Sequence, residues 1–211
     1  MSPPQARTPH PARMTAIGAP LSATASVAVL GVLVWRAHGG PLHWDEPGRE
    51  ALVTLLGATP LLAAWAGLGD VRLLALVCAA FTLVAMPARR LRQATILWGA
   101  AAASLASSLI LKALIDRPRP PGAFEAGASF PSTHSAMAAA VWLTLAMAAS
   151  ARSTRLRVAI MAAALAAAVL SALAGVALGR HWPSDAAAGL ALGVVVACLA
   201  ARRMRGLGAR A

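Results

Sequence analysis

The chain has 211 residues, of which 59% are hydrophobic and only 12% are charged, and its formal net charge is +12. A soluble domain of this length has no core large enough for that much apolar surface, so the composition excludes an ordinary soluble protein and indicates a membrane protein. The positive charge falls in short arginine clusters between apolar runs. This distribution argues against nucleic-acid binding and is typical of the cytoplasmic flanks of membrane spans.

Six apolar segments are long enough to cross a bilayer as helices. Residues 1–13, which precede them, contain four prolines and are predicted to form a disordered cytoplasmic tail. A cleaved signal peptide is the alternative for the first apolar run, but its length and the runs that follow favour an uncleaved anchor. Residues 14–201 are predicted as one transmembrane domain, and residues 202–211 as a basic cytoplasmic tail. The predicted spans are 14–35, 70–87, 93–111, 135–151, 158–179 and 186–201.

Residues 48–66 are less apolar than the six spans, because Arg49, Glu50, Gly57 and Pro60 interrupt them. This pattern predicts an interfacial helix with a break rather than a seventh span. A seventh span would also carry the N-terminal arginines outside, which the positive-inside rule disfavours. The sequence therefore predicts an all-α fold, a polytopic membrane helix bundle with about six transmembrane helices and an interfacial helix near 48–66.

Three polar islands stand at the edges of the apolar runs, and the six-span topology puts all of them on the extracytoplasmic side. They are residues 112–119, 130–134 and 181–185. The first contains Lys112, the single lysine among 19 basic residues. Together the islands hold a lysine, arginines, two histidines and an aspartate, an inventory suited to phosphoryl chemistry.

The first island presents Lys112, Arg117 and Arg119 at the end of a span. One interpretation is a cationic helix end that snorkels to lipid headgroups. The other is a phosphate site, favoured because this side of the membrane is otherwise poor in cations and because three prolines stiffen the backbone beside the arginines. An arginine fork and a lysine point charge both suit phosphate oxygens.

The second island opens the span that begins near Ser135. Ser132 or Thr133 is a suitable N-cap, and the free amides of a helix N-terminus form an anion site. An ordinary cap followed by a solvated His134 is the alternative. The island is short and weakly specific alone, so it supports a phosphate site only in combination with the other two islands.

The third island places His181 four residues before Asp185, with Pro183 suited to the first position of a helix. A carboxylate at this spacing can accept the Nδ1–H of the imidazole and leave Nε2 oriented for nucleophilic attack or proton transfer. An inert histidine at a membrane edge is the alternative. His134, His181 and Asp185 could also bind a divalent ion, but the nearby cations would repel it, so we predict no metal site and no cofactor.

In these residues the chain resembles the type 2 phosphatidic acid phosphatase (PAP2) superfamily. The family pattern is Lys, six residues and Arg-Pro; then Pro-Ser-Gly-His; then Ser-Arg, five residues, His, three residues and Asp. Lys112 and Arg119 meet the first part, Ser132 and His134 lie in the second, and the third ends with His181 and Asp185 as in the family. The resemblance covers about residues 40–201.

The chain departs from the family pattern at two places. Thr133 stands where the second motif has glycine, and Ala174-Gly175 stands where the third motif has Ser-Arg. A phosphate-binding arginine is therefore missing, and loss of such a group weakens transition-state stabilisation. Arg180 and Arg117 are the candidates to replace it.

The resemblance implies a role for each matched residue. His181 is the implied nucleophile that forms a phosphohistidine, Asp185 holds its ring, and His134 protonates the leaving oxygen. The implied or candidate ligands of the phosphoryl group are Lys112, Arg119, Ser132, Thr133 and Arg180.

The implied protein is a lipid phosphate phosphatase of the bacterial inner membrane with its active site facing the periplasm. Its substrate is expected to be a phosphatidate-like phospholipid or an isoprenoid phosphate such as undecaprenyl diphosphate, with no obligatory protein partner. One alternative is a non-hydrolytic relative that binds or moves lipid headgroups, suggested by Gly175. Another is a vanadate-using oxidase, which the six spans disfavour.

Overall fold

In the computed structural model, which describes residues 11–57, 59–149 and 153–208, every regular element is an α-helix. The absence of strands from these described residues confirms the predicted all-α class. In chain order the helices are α1 (Pro11–Arg36), α2 (Asp45–Leu56), α3 (Pro60–Gly67), α4 (Val71–Ala85), α5 (Leu91–Ile115), α6 (Thr133–Ala148), α7 (Thr154–Ala177) and α8 (Pro183–Gly208).

Each of the six predicted spans corresponds to a helix of the bundle. Three of them, α5, α7 and α8, are individually long and apolar enough to cross a membrane. α3 and α4 meet the same criterion together, as one span bent by 53°. The apolar part of α1, Pro20–Arg36, and the whole of α6 are shorter apolar helices. The chain is thus a multi-pass membrane protein, as its composition predicts.

The segment predicted as a broken interfacial helix contains the break but is shared between two helices. α2 ends before Gly57, whose φ of 59° lies in the left-handed region that glycine adopts without strain. The apolar sequence that follows forms α3, in which Leu62 packs against Ala174 of α7. The first half of the segment therefore forms a separate helix, and the second half enters the bundle as the bent partner of α4.

Glycines on α8 let this helix approach α6 closely. A Cβ at Gly189 would collide with the carbonyl oxygen of Ser132, and one at Gly193 with that of Ala136. Between apolar helices in apolar lipid, contacts between small residues of this kind are a main source of tight pairing. The pairing sets the start of α8 beside the start of α6, where the Ser132 N–H donates to the Asp185 carbonyl over 3.0 Å.

Local sequence determines where these two helices begin. Ser132 is the N-cap of α6, and its Oγ accepts from the backbone N–H of Ser135 over 3.3 Å. Pro183 is the first residue of α8, as predicted. The free amides and positive dipole ends of both helices consequently meet in one region, which suits an anion.

The arginine-rich helix ends meet at the other end of the bundle. Arg203 of α8 lines a cavity together with Thr95 near the start of α5, and Arg205 lines another together with Arg157 of α7. The chain therefore separates its arginine clusters from the three polar islands by the length of its helices. This is the arrangement that the positive-inside rule describes.

The two predicted tails are only partly within the described residues. Residues 1–10 of the tail predicted over 1–13 lie outside them, and α1 begins at Pro11. At the other end α8 continues to Gly208, so the basic segment 202–208 is helical, and residues 209–211 lie outside the described part.

Candidate active site

His181 and Asp185 form the buried centre of the site. His181 is 3% exposed, and its Nδ1 lies 3.7 Å from the Asp185 Oδ2. This distance is too long for a hydrogen bond, so the predicted donation from Nδ1 to the carboxylate is an electrostatic contact in this structure. The same Oδ2 accepts from the Trp182 backbone N–H over 2.9 Å, which fixes the carboxylate relative to the residue that follows the imidazole.

The pKa of His181 is lowered below its usual 6.5, chiefly by burial, which disfavours the charged imidazolium. The Asp185 carboxylate opposes this shift, whereas the cations of Lys112 and Arg119 add to it. The imidazole is therefore neutral at neutral pH, the state a nucleophile requires. These influences also place Lys112 and Arg119 within electrostatic range of His181.

Arg117 is fully buried, and carboxylates, a hydroxyl and carbonyls surround its guanidinium. Nη1 donates to the Asp185 Oδ1 over 2.6 Å and to the Ser184 Oγ over 2.7 Å, and Nη2 donates to the Asp45 Oδ2 over 2.7 Å. The carbonyls of Gly39 and Gly40 accept further hydrogen bonds from the same side chain. With its donors engaged and its side chain inaccessible, Arg117 is not free to bind phosphate, so it is ruled out as a replacement for the missing arginine.

Lys112 and Arg119 are held by the loop between α5 and α6. The Lys112 Nζ donates to the carbonyls of Ala128 and Ser129 over 2.6 and 3.1 Å, which leaves one of its three N–H groups for an anion. Arg119 Nη1 donates to the Arg180 carbonyl over 2.7 Å. The loop therefore ties the lysine in place and joins Arg119 to the residue before His181.

A carboxylate already occupies the anion-binding side of these arginines. Glu125 Oε2 lies 2.9 Å from Arg119 Nη1, and its Oε1 lies 3.5 Å from Arg180 Nε. The Arg180 guanidinium also lies over the ring of Phe124, 5.1 Å from its centroid. Arg180 thus shares its surroundings with Arg119, and Glu125 contacts both guanidinium groups.

The second island lies at the start of α6 beside this cluster. Ser132 is buried and its Oγ accepts from the Ser135 hydroxyl over 2.9 Å, while Thr133 and His134 are half-buried. As the first two residues of the helix, Thr133 and His134 have backbone amides without an intrahelical acceptor. His134 lies within electrostatic range of His181 and Arg180. The structure therefore brings the residues of all three islands together.

Gly175 faces the nucleophile candidate. A Cβ at this position would lie 3.9 Å from the His181 Cδ2, an ordinary van der Waals contact. A longer side chain here would extend along His181, which is where the family pattern places its arginine. The missing cation is therefore a local loss at the site and not an error of sequence register.

Three contributors to the site were not predicted from the sequence: Asp45, Glu125 and Ser184. Asp45 is fully buried and accepts from the Ser184 backbone N–H over 2.9 Å and its hydroxyl over 2.8 Å. Charge balance was the available signal, because a buried cation such as Arg117 needs carboxylate partners. Among the described residues, no group of three or more His, Cys, Asp or Glu side chains is arranged as metal ligands.

The arrangement combines a neutral imidazole, a second imidazole, fixed cations and two helix N-termini. Such a site can attack a phosphorus atom, protonate a leaving oxygen and stabilise charge that spreads over equatorial oxygens.

We expect the His181 imidazole to titrate with a midpoint below pH 6.5, because burial disfavours its charged form. As the pH falls, the neutral imidazole should persist below pH 6.5 and become protonated only near its lowered pKa. Histidine side-chain NMR of the detergent-solubilised chain measures this midpoint, and the resonance is assigned by its loss in His181→Ala. A midpoint at or above 6.5 contradicts the expectation.

Replacing Glu125 by Gln should strengthen the binding of inorganic phosphate, because the carboxylate no longer competes for Arg119. The pair is partly exposed, so the gain should be no more than about 1 kcal/mol, or roughly fivefold in Kd. Isothermal titration calorimetry provides the comparison, with Glu50→Gln on the exposed face of α2 as the matched control. Unchanged or weaker binding in Glu125→Gln would show that the carboxylate does not occupy the anion position.

Comparison with known proteins places the chain in a family. The sequence profile of the PAP2 superfamily matches residues 93–208, more than half of the chain and all three polar islands. No curated protein matches the chain in sequence.

Two crystal structures share the fold. A transmembrane PAP2-type phosphatidylglycerolphosphate phosphatase from Bacillus subtilis gives a TM-score of 0.77 at 21% identity, with 89% of this chain and 96% of that chain covered. Aquifex aeolicus LpxE gives a TM-score of 0.61 at 20% identity, with 76% and 96% covered. The identities are low, so these likenesses establish the fold, while the profile match establishes the family. The chain belongs to the PAP2 superfamily.

Proposed function

We propose that this protein is an integral-membrane lipid phosphate phosphatase that works through a phosphohistidine on His181. The observation that carries the proposal is the placement of a buried, neutral His181 beside Asp185, within electrostatic range of Lys112 and Arg119. Family membership supports a phosphatase, and the B. subtilis structure of the same fold is that of a phosphatidylglycerolphosphate phosphatase.

In the first step the Nε2 of His181 attacks phosphorus. The bond between phosphorus and the leaving oxygen breaks, and His134, which begins the cycle protonated, donates its proton to that oxygen. Lys112, Arg119 and the amides at the start of α6 hold the equatorial oxygens, with Ser132 and Thr133 lining this edge of the site. Asp185 stabilises the positive charge that forms on His181 during attack.

In the second step water breaks the phosphohistidine. His134, now neutral, takes a proton from the attacking water, the bond between phosphorus and Nε2 breaks, and inorganic phosphate leaves. His181 returns to its neutral form. The net reaction consumes one water and releases phosphate together with a lipid alcohol from a monoester, or a lipid monophosphate from a diphosphate. No step uses a metal ion or other cofactor.

The substrate class is argued from the surroundings of the site. An apolar groove of about 370 Å³ lies between α1, α5 and α8, and its lining includes Leu111 and Phe130. Leu111 directly precedes the first island and Phe130 is the first residue of the second, so a lipid tail in the groove brings its phosphate to Lys112 and Ser132. We place the site at the periplasmic face of a bacterial inner membrane, because the arginine-rich helix ends lie opposite. A phosphatidate-like or undecaprenyl diphosphate-like lipid fits this placement, with membrane lipids around it and no obligatory protein partner.

The alternative function is a catalytically weakened PAP2 protein that binds or moves lipid headgroups. Gly175 favours it, because the position beside His181 lacks the arginine of the family pattern. Both functions use the same anion site, so lipid binding does not separate them. Turnover does.

The test supplies purified full-length protein in detergent with phosphatidate and, separately, with undecaprenyl diphosphate, and measures released phosphate. We expect release that persists in EDTA and disappears in His181→Ala. Phosphate release no higher than that of His181→Ala with both lipids would refute the enzyme and leave the headgroup-binding alternative. Loss of activity in EDTA would refute the metal-free mechanism.

Arg180 is expected to supply the cation that Gly175 lacks. Arg180→Ala should lower kcat/KM by about 10²–10³-fold, the cost of one oxyanion-stabilising donor. Adding Gly175→Arg to Arg180→Ala should recover part of the loss, since position 175 has space beside His181. The exposed Arg92→Ala, at the other end of α5, is the matched control. Near-normal turnover in Arg180→Ala would dismiss this compensation.

A further inference from the structure

The network around Arg117 joins parts of the chain that are far apart in sequence. Asp45 at the start of α2 and Asp185 at the start of α8 both accept from its guanidinium, over 2.7 and 2.6 Å. All three side chains are 0% exposed. A buried cation between two carboxylates is tolerated only with close geometry and further hydrogen bonds, because each desolvated charge carries a large penalty.

Asp45 completes the network from the side of α2. Its Oδ1 accepts from the Ser184 backbone N–H over 2.9 Å, and its Oδ2 accepts from the Ser184 hydroxyl over 2.8 Å and from the Leu42 N–H over 2.9 Å. One carboxylate thus serves the N-terminus of α8 and the loop before α2. It also supplies the negative charge that keeps Arg117 in place.

Asp185 divides its two oxygens between Arg117 and the nucleophile. Oδ1 is held by Arg117, and Oδ2 takes the Trp182 N–H and lies 3.7 Å from the His181 Nδ1. The Arg117 guanidinium also lies 5.6 Å from the Trp182 ring centroid, which limits its own movement. These contacts hold Oδ1 at Arg117 and leave Oδ2 on the side of the imidazole.

We propose that Asp45 and Arg117 are positioning residues that set the orientation of Asp185 and, through it, the tautomer of His181. The inference rests on the proposed phosphohistidine function. Neither residue touches substrate, because both are buried behind the catalytic carboxylate. Asp45→Asn and Arg117→Lys should therefore impair the chemical step and leave phosphate binding intact.

The test compares Asp45→Asn and Arg117→Lys with Glu46→Gln, an exposed neighbour on the same helical turn as Asp45. Both substitutions keep a polar side chain of similar size. Because small misplacements of a catalytic group are costly, kcat for lipid phosphate should fall by about 10–100-fold, with KM and the Kd for inorganic phosphate changed by less than about twofold. Glu46→Gln should have the same kcat, KM and Kd for inorganic phosphate as the unaltered protein.

A second measurement does not depend on turnover. Nitrogen-15 NMR of labelled histidine reports which ring nitrogen carries the proton in the neutral imidazole. We expect the Nδ1–H tautomer of His181 in the unaltered protein, because the negative charge of the Asp185 Oδ2 lies 3.7 Å from Nδ1. In both variants we expect a mixture of tautomers, because Oδ2 is no longer held on that side of the ring. If the unaltered protein releases no phosphate, the proposed function fails while the tautomer still decides the positioning role.

Two results would overturn the positioning role. One is an unchanged tautomer and unchanged kcat in both variants. The other is a parallel loss of kcat, phosphate affinity and helical circular dichroism, which would make the pair a support of the fold alone. Retained phosphate affinity and helicity with a mixed tautomer support the proposal, whatever the size of the kcat loss.

Discussion

The structure depends on one buried interaction, the contact of the Arg117 guanidinium with the carboxylates of Asp45 and Asp185. It connects the start of α2, the segment after α5 and the start of α8, and the same guanidinium also donates to the Gly39 carbonyl in the α1–α2 loop. No single helix joins any two of these parts of the chain. Removal of one partner from a buried ion pair costs about 3–5 kcal/mol, because it leaves the other charge without compensation. The geometry of the Asp185 carboxylate and the closure of this end of the bundle therefore have a common origin.

Close packing of helices determines the rest of the site. Gly189 and Gly193 allow α8 to lie against α6, so that Ser132 and Asp185 meet through a backbone hydrogen bond. Two helix N-termini then face the same space as the cations, and a phosphoryl group there meets dipoles and charges that are already oriented. This preorganisation lowers the cost of stabilising charge in the transition state. Glu125 forms an ion pair with one of these cations, Arg119, over 2.9 Å.

Much of the fold was predictable, because the local sequence indicates where membrane helices lie and where they begin. The six spans followed from hydropathy. The start of α6 followed from Ser132 or Thr133 as a cap, and the start of α8 from Pro183 as a first helical residue. The long-range contacts were not predictable. Arg117 lies in a cationic cluster that suggests phosphate binding. Only the fold reveals that Asp45, 72 residues earlier, forms an ion pair with it.

The remaining discrepancies are also matters of three-dimensional arrangement. The spacing of His181 and Asp185 allows a hydrogen bond, but the Trp182 N–H shares the same carboxylate oxygen and the imidazole stands 3.7 Å away. α3 meets α4 at a bend of 53° and packs against α7, and hydropathy describes neither feature. The sequence shows that position 175 lacks the arginine of the family pattern. It does not show that Gly175 faces the His181 ring.

Trapping of the phosphoenzyme tests the central claim most directly. The full-length protein is mixed with a lipid phosphate labelled in its phosphoryl group, quenched at alkaline pH to preserve phosphohistidine, and mapped by mass spectrometry. The account predicts label on His181 and none in His181→Ala. Label on another residue, or turnover by the unaltered protein without any labelled histidine, would contradict it.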